Sequence, residues 1–243
     1  MDYLQKIEKL NQQATGLTAE SIIRLAAKEF GKRVNFASSL GEEDQVITHM
    51  ISLAAPGMEI FTLDTGRLFP ETYELLAKTQ KRYPMPFKIY SPDTKAVEQM
   101  AREKGINLFY ESVENRKLCC GIRKVEPLKR ALKNMDAWIC GLRRGQSVTR
   151  SDVKIFEWDA VNGKIKVNPL ADWALTEVQG YISANKVDVN PLHQKGFVSI
   201  GCAPCTRAIK PGENIRSGRW WWEQPEQKEC GLHNNPRRST PKK

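Results

Sequence analysis

Val34-Asn35-Phe36-Ala37-Ser38-Ser39-Leu40-Gly41-Glu42-Glu43-Asp44 decides how this chain folds. Val34 to Ala37 reads as a short strand, Ser38 to Asp44 as its exit loop, and a helix follows through about Leu53. The loop lacks the Gly-Lys-Ser or Gly-Lys-Thr ending of a P-loop, and three acidic residues make it a poor cradle for a triphosphate. On its own it is a capped helix start. Just upstream, residues 18 to 30 read as a helix with Thr18 as N-cap and Gly31 as its stop.

The strand, loop, helix unit recurs. Glu59 to Leu63 is a strand, Asp64-Thr65-Gly66-Arg67 a loop, and Pro70 suits the first turn of the next helix. Phe87 to Tyr90 leads through Ser91-Pro92-Asp93 to a helix ending near Gly105, and Ala137 to Cys140 is an apolar strand with Gly141 to Gly145 as its exit. Lys154 to Trp158 and Lys164 to Val167 flank Asn162-Gly163 as a hairpin. Thr176 with Gln179 predicts a capping box opening another helix. Alternating strands and helices imply an α/β fold, a mostly parallel sheet covered by helices. Ligands of such sheets bind beyond the carboxyl ends of the strands, so the loops at Ser38, Asp64 and Gly141 are the expected rim of a site. Asp64 itself reads either as an N-cap or as a ligand contact.

The 243 residues suffice for one domain with a proper core, and 40% hydrophobic with 27% charged residues is ordinary for a soluble protein. No apolar run approaches a membrane span, and the N-terminus lacks the uninterrupted apolar stretch of a secretory signal. The expected setting is the reducing cytoplasm. A net charge of +10 calls for anionic partners, which nucleic acid, a phosphorylated metabolite and an acidic protein all satisfy. Residues 1–222 read as one folded unit. Residues 223–243, poor in apolar side chains, read as a mobile tail.

Six cysteines do not suggest a disulfide scaffold here. Cys202-Ala203-Pro204-Cys205 places two thiols at metal-ligand spacing, and Cys119-Cys120 offers a distant second pair. Together they make a four-thiolate set for zinc or an iron-sulfur cluster. Adjacent cysteines diverge, which suits several irons better than one small tetrahedral ion. A redox-active Cys-x-x-Cys and unrelated buried thiols stay open beside these. Cys140 reads as a small buried hydrophobe, and His49 and His193 have no ligand-spaced partner. Trp220 to Trp222 are lid or core. In the tail, Cys230 sits near Lys228 and His233, which favour a thiolate, and beside Gly231. It is either a reactive thiol or an incidental exposed one.

In these motifs the chain resembles the assimilatory adenylylsulfate (APS) reductases of the iron-sulfur, thioredoxin-dependent type. The resemblance is carried by Ser38 to Asp44, Leu63-Asp64-Thr65-Gly66-Arg67, Cys119-Cys120, Gly141-Leu142-Arg143-Arg144, Cys202-Ala203-Pro204-Cys205, Gly218 to Glu223 and Glu229-Cys230-Gly231-Leu232-His233. It implies an adenine nucleotide alpha hydrolase-like, Rossmann-like fold. It implies a 4Fe-4S cluster on Cys119, Cys120, Cys202 and Cys205, with Cys230 as nucleophile. Thioredoxin and APS are the implied partners, with no nucleic acid or membrane; a homo-oligomer is left open.

On that reading Cys230 attacks the sulfur of APS, expels AMP and leaves an S-sulfocysteine that thioredoxin cleaves to sulfite. Ser38, Leu63 and Gly141 are expected at the nucleoside. Lys124, one helical turn beyond Cys120, and Arg143, Arg144, Arg216 and Arg219 are expected at the sulfate and phosphate oxygens. A pyrophosphatase of the RNA-thiolating type would carry a Ser-Gly-Gly-x-Asp-Ser loop, which is absent. A zinc-stabilised binding protein is the other rival.

Overall fold

A computed structural model describes residues 3–146, 150–214 and 216–224. Cys230 and the expected tail from residue 225 onward lie outside the described residues. Helices α1 (Tyr3–Ala14) and α2 (Ala19–Phe30) precede the first strand, β1 (Val34–Ala37). The Thr18 hydroxyl accepts from the Ser21 backbone N–H at 3.3 Å and Gly31 closes α2 at φ 55°, as the sequence required. Helix α3 (Glu42–Ala54) leaves the loop after β1 with three carboxylates in its first turn, where the helix dipole favours negative charge.

Strand β2 (Glu59–Leu63), helix α4 (Pro70–Arg82), strand β3 (Phe87–Tyr90) and helix α5 (Thr94–Lys104) repeat the unit. Then come the cysteine-bearing helix α6 (Val113–Cys120), a π turn over Gly121–Val125, helix α7 (Glu126–Leu132) and strand β4 (Ala137–Ile139). Strands β5 (Phe156–Asp159) and β6 (Lys164–Val167) form the expected hairpin, closed by Gly163 N–H to the Asp159 carbonyl at 2.8 Å. Helix α8 (Leu175–Asn185) starts ahead of the expected Thr176 box. Ala174 is its N-cap, and Glu177, not Gln179, reaches back to the Ala174 N–H at 2.7 Å. Glu177 sits three residues after the cap, the one spacing at which a carboxylate closes that turn.

The sheet order is β3-β2-β1-β4-β6-β5, parallel throughout except for the β5–β6 pair. Strand neighbours alternate between two cores, as period-2 side chains must. Phe36, Ile60 and Ile139 pack with α1, α2 and α3 on one face, while Phe61 and Trp138 pack with Leu128 and Leu132 of α7 on the other. The connections run one way from β1 through β2 to β3 and the other way from β1 to β4. The resulting switch point lies between β1 and β4. Among the described residues no helix is long and apolar enough to cross a membrane.

A smaller core holds the cysteine region together. Met100, Leu108, Phe109 and Trp220 pack around Cys119, Cys202 and Cys205. The segment after Cys205 returns to it: Thr206 bridges Arg219 in antiparallel fashion and the Trp220 N–H donates to the Cys205 carbonyl at 3.1 Å. Trp220 and Trp222 are thus part of this core, whereas Trp221 is exposed. Glu223, expected to begin the tail, is also buried in the body, because Arg116 of α6 captures its carboxylate.

Candidate active site

Ser38, Leu63 and Gly141 stand side by side at the carboxyl ends of β1, β2 and β4. Ser38 is buried; its N–H donates to the Phe61 carbonyl at 2.8 Å and its hydroxyl accepts from the Leu40 N–H at 3.2 Å. The next residues make a tight turn in which Leu40 takes φ 62°, rare for a branched side chain and tolerated because Leu40 is anchored in a small core with Leu75 and Leu76. Asp44 fixes the turn by accepting from the Ser39 N–H and hydroxyl, both at 2.6 Å. Burial pushes its carboxyl up to about 6 against the opposing pull of the Ser39 donors.

Gly141 is glycine because nothing larger fits. A Cβ there would lie 2.3 Å from Asp44 Oδ1 and 3.0 Å from Glu43 Cβ. Gly141→Ala must push Asp44 off Ser39, and is expected to cost about 1–3 kcal/mol of stability, read as a lowered urea midpoint.

Arg143 and Arg144, expected at the sulfate, are engaged elsewhere. The buried Arg143 guanidinium donates to Glu43 Oε1 through Nε at 2.9 Å, with Nη2 at 2.8 Å, and its Nη1 donates to the Trp173 carbonyl at 3.3 Å. Gln146 donates to the same Glu43 oxygen at 3.0 Å. Arg143 therefore ties the β4 exit loop to the start of α3. Arg144 pairs with Asp172 at the surface and donates to the Val153 carbonyl at 2.7 Å.

The four predicted ligand cysteines come together. Cys119, Cys120, Cys202 and Cys205 are free thiols lining one cavity, along with Arg67, Arg116, Arg123, Lys124 and Trp220. The exit loop of β2 joins both pairs. Thr65 Oγ1 lies 3.3 Å from Cys202 Sγ, its carbonyl accepts from Arg123 Nη1 at 2.6 Å, and the Arg67 carbonyl accepts from the Ala203 N–H at 2.8 Å. Asp64 is neither an N-cap nor pointed at the thiols; its Oδ1 accepts from the Gly66 N–H at 2.8 Å and the Tyr73 hydroxyl at 2.7 Å.

Electrostatics follow from the packing. Burial pushes the Cys205 thiol up to about 12 and also raises Cys119. Burial opposes ionisation of Cys202 too, but Lys124, the Thr65 hydroxyl, Arg219 and Arg123 outweigh it and hold this thiol below its ordinary range. Lys124 reaches the cavity from the π turn rather than from an α turn beyond Cys120.

Among the described residues three buried donors near these sulfurs have no acceptor: Arg123 Nε, Arg219 Nε and Trp220 Nε1. Unpaired buried donors are costly, and here they surround thiols that ionise on binding metal. Among the described residues no three or more His, Cys, Asp or Glu side chains have the geometry to hold a single metal ion. Four thiols on one cavity, with Arg67, Arg116, Arg123 and Lys124 beside them, fit an anionic group held by thiolates.

Arg219 stacks on Trp220 at 4.7 Å and approaches Ser199 and Ile200. Arg216 lies in the preceding turn, where its N–H donates to Asn214 Oδ1 at 2.9 Å. Sequence reasoning gave no site role to Arg67, Arg116 or Arg123, although Arg67 closes the Leu63-Asp64-Thr65-Gly66-Arg67 motif and Arg123 follows Cys-Cys-Gly-Ile.

Comparison with known proteins agrees with this geometry. The chain is 52% identical over 198 residues to the adenosine 5'-phosphosulfate reductase of Allochromatium vinosum, covering 82% of this chain and 77% of the relative. The enzyme of that name from Burkholderia cepacia is 50% identical over 228 residues, 90% of this chain and 91% of the relative. Among solved structures, phosphoadenylyl-sulfate reductase from Candida auris, a phosphate complex, superposes with a TM-score of 0.72 at 30% identity, covering 84% of this chain and 96% of that one. The sheet and its helix layers are those of the adenine nucleotide alpha hydrolase-like fold. Residues 33–208, from the first strand to just beyond the second cysteine pair, match the phosphoadenosine phosphosulfate reductase domain, and the chain belongs to that family.

Proposed function

We propose that this protein reduces APS to sulfite and AMP in assimilatory sulfate reduction, with thioredoxin as reductant and Cys230 as nucleophile. The observation that carries the reading is the lining of one cation-rich cavity by Cys119, Cys120, Cys202 and Cys205 against the β2 exit loop. Relatives named for APS reduction at about half identity support the substrate. The cytoplasm is the compartment that suits free thiols and a thioredoxin partner.

The switch point between β1 and β4 receives the nucleotide, with Ser38, Leu63 and Gly141 against the nucleoside. Lys124, Arg216 and Arg219 face the sulfate and phosphate oxygens and offset the charge that builds up on transfer. Arg143 acts at one remove, holding the Gly141 loop on Glu43. The Cys230 thiolate donates its electron pair to the APS sulfur, the bond from sulfur to the bridging oxygen breaks, and AMP departs with that pair. One thioredoxin thiolate then attacks Cys230 Sγ and releases sulfite, and its second thiol frees Cys230 by forming the thioredoxin disulfide. The dithiol thus supplies both electrons.

A 4Fe-4S cluster on the four cysteines would, when bound, clamp α6 to the Cys202–Cys205 turn and add a fixed charge beside the sulfate. It is not required as an electron source. One thiol must serve the bound nucleotide and then a protein partner in turn.

The test is mass spectrometry of protein incubated with APS and no thioredoxin. A sulfonate adduct on Cys230 is expected; an adduct on another side chain, or none, would overturn the nucleophile.

A further inference from the structure

Cys119 and Cys120 are neighbours on one helix, so their side chains leave it about 100° apart and each needs its own means of facing the cavity. Cys119 has that in its packing. It is buried with Met100, Leu108 and Phe109, and the Arg123 guanidinium hydrogen-bonds its thiol. Cys120 is only half-buried, at the last position of α6. Arg116 stands four positions earlier on the same side of the helix, and its guanidinium hydrogen-bonds the Cys120 thiol. That guanidinium has little freedom of its own. Nε donates to Glu223 Oε1 at 2.9 Å and Nη2 to Oε2 at 2.7 Å, the two side chains being 1% and 2% accessible. It also stacks over Trp220 at 4.8 Å. Glu223 is fixed in turn to the second cysteine pair: its N–H donates to the Trp220 carbonyl at 2.9 Å, and the Trp220 N–H donates to the Cys205 carbonyl at 3.1 Å.

We propose that Arg116 is a positioning residue for Cys120, and that Glu223 anchors it so that the Cys119–Cys120 helix and the Cys202–Cys205 turn keep one relative aim. The inference rests on the reading of the four cysteines as one ligand set and deepens it. A ligand whose direction is set by an outer hydrogen bond binds metal well only while that bond holds.

A buried ion pair is a poor device for stability alone, since well-packed apolar residues of similar volume serve as well or better. A two-pronged guanidinium-carboxylate contact fixes one orientation, and the remaining N–H groups of the rigid fork are then aimed as well. The carboxylate also offsets the cation. Cys120 therefore meets a directed N–H with little net charge behind it, whereas Lys124, Arg219 and Arg123 act on Cys202 as charges.

The test follows single thiols in full-length protein purified anaerobically. Iron is drawn out by a ferrous chelator with iodoacetamide present, and peptide mass spectrometry gives the alkylation rate of Cys119, Cys120, Cys202 and Cys205 separately. From wild type to Glu223→Gln, the rate at Cys120 relative to the other three is expected to rise about tenfold, the scale on which loss of an outer-shell partner acts. A pair that merely stapled the fold would loosen all four thiols alike. Glu223→Asp keeps the charge and is expected to remove most of the difference. Arg116→Lys keeps a cation without the fork; it is expected to behave as Glu223→Gln does, and it carries the test if the Gln variant does not fold. An unchanged ratio in a folded variant, or an equal rise at all four thiols, would overturn the proposal. If wild-type protein purifies with neither iron nor sulfide, the reading of the ligand set fails instead. Alkylation of the metal-free chains then decides on Arg116 alone, and a Cys120 ratio shared by wild type and variant overturns it.

Discussion

Cys230→Ser should abolish sulfite formation, a fall of about 10⁴-fold or more, the scale seen when a covalent nucleophile is removed. A serine hydroxyl is scarcely ionised at neutral pH and lacks the polarisable sulfur that an S–S bond requires. Everything the folded body contributes should remain: APS affinity, iron content and thermal midpoint are expected at their wild-type values. Sulfite assay beside an APS binding isotherm separates the two. Turnover retained at wild-type level would remove Cys230 from the mechanism and return the tail thiol to an incidental role.

Cys202→Ala should act on the folded body instead. Its sulfur meets the Thr65 hydroxyl at 3.3 Å and balances Lys124, Arg219 and Arg123. Removing it leaves those cations without the thiolate charge that offsets them. A four-ligand site that loses one member also loses metal affinity, and with it the folding free energy that binding supplied. The variant is expected to purify with less than about half of the wild-type iron and to unfold at markedly lower urea. Full iron content would contradict the ligand assignment. Cys140→Ala is the control. That thiol is buried at the end of β4 and donates to Asn168 Oδ1 at 3.0 Å, and burial pushes it up to about 12. It should keep its iron.

Much of the scaffold was legible because local rules sufficed. Val34–Ala37, Glu59–Leu63 and Ala137–Ile139 are apolar runs between turn residues, and a parallel sheet buried on both faces reads that way. The cysteine pairs were legible through spacing and residue type. What stayed hidden depends on side chains that meet only after folding. Thr65 touches Cys202, and Arg116 finds Glu223 more than a hundred residues on. Arg143 shows the cost of reading charge without partners. A guanidinium beside a nucleotide loop looks like an oxyanion ligand until Glu43, a hundred residues earlier, takes it. The displaced start of α8 has a smaller cause: Ala174 offers no side-chain acceptor, so only the Glu177 half of the box forms and the residue pattern did not mark it.

The π turn at Gly121–Val125 has a geometric consequence for how this region tolerates change. Each residue advances a regular helix by about 100°, so deleting one position between Cys120 and Glu126 would restore an ordinary α repeat while spinning the upstream segment by that angle about its axis. Both sulfurs of α6 would then swing away from the turn that carries Cys202 and Cys205. The extra residue sets the phase between two stretches of helix, and a shortened chain could pack the same core and still dismantle the ring of thiols.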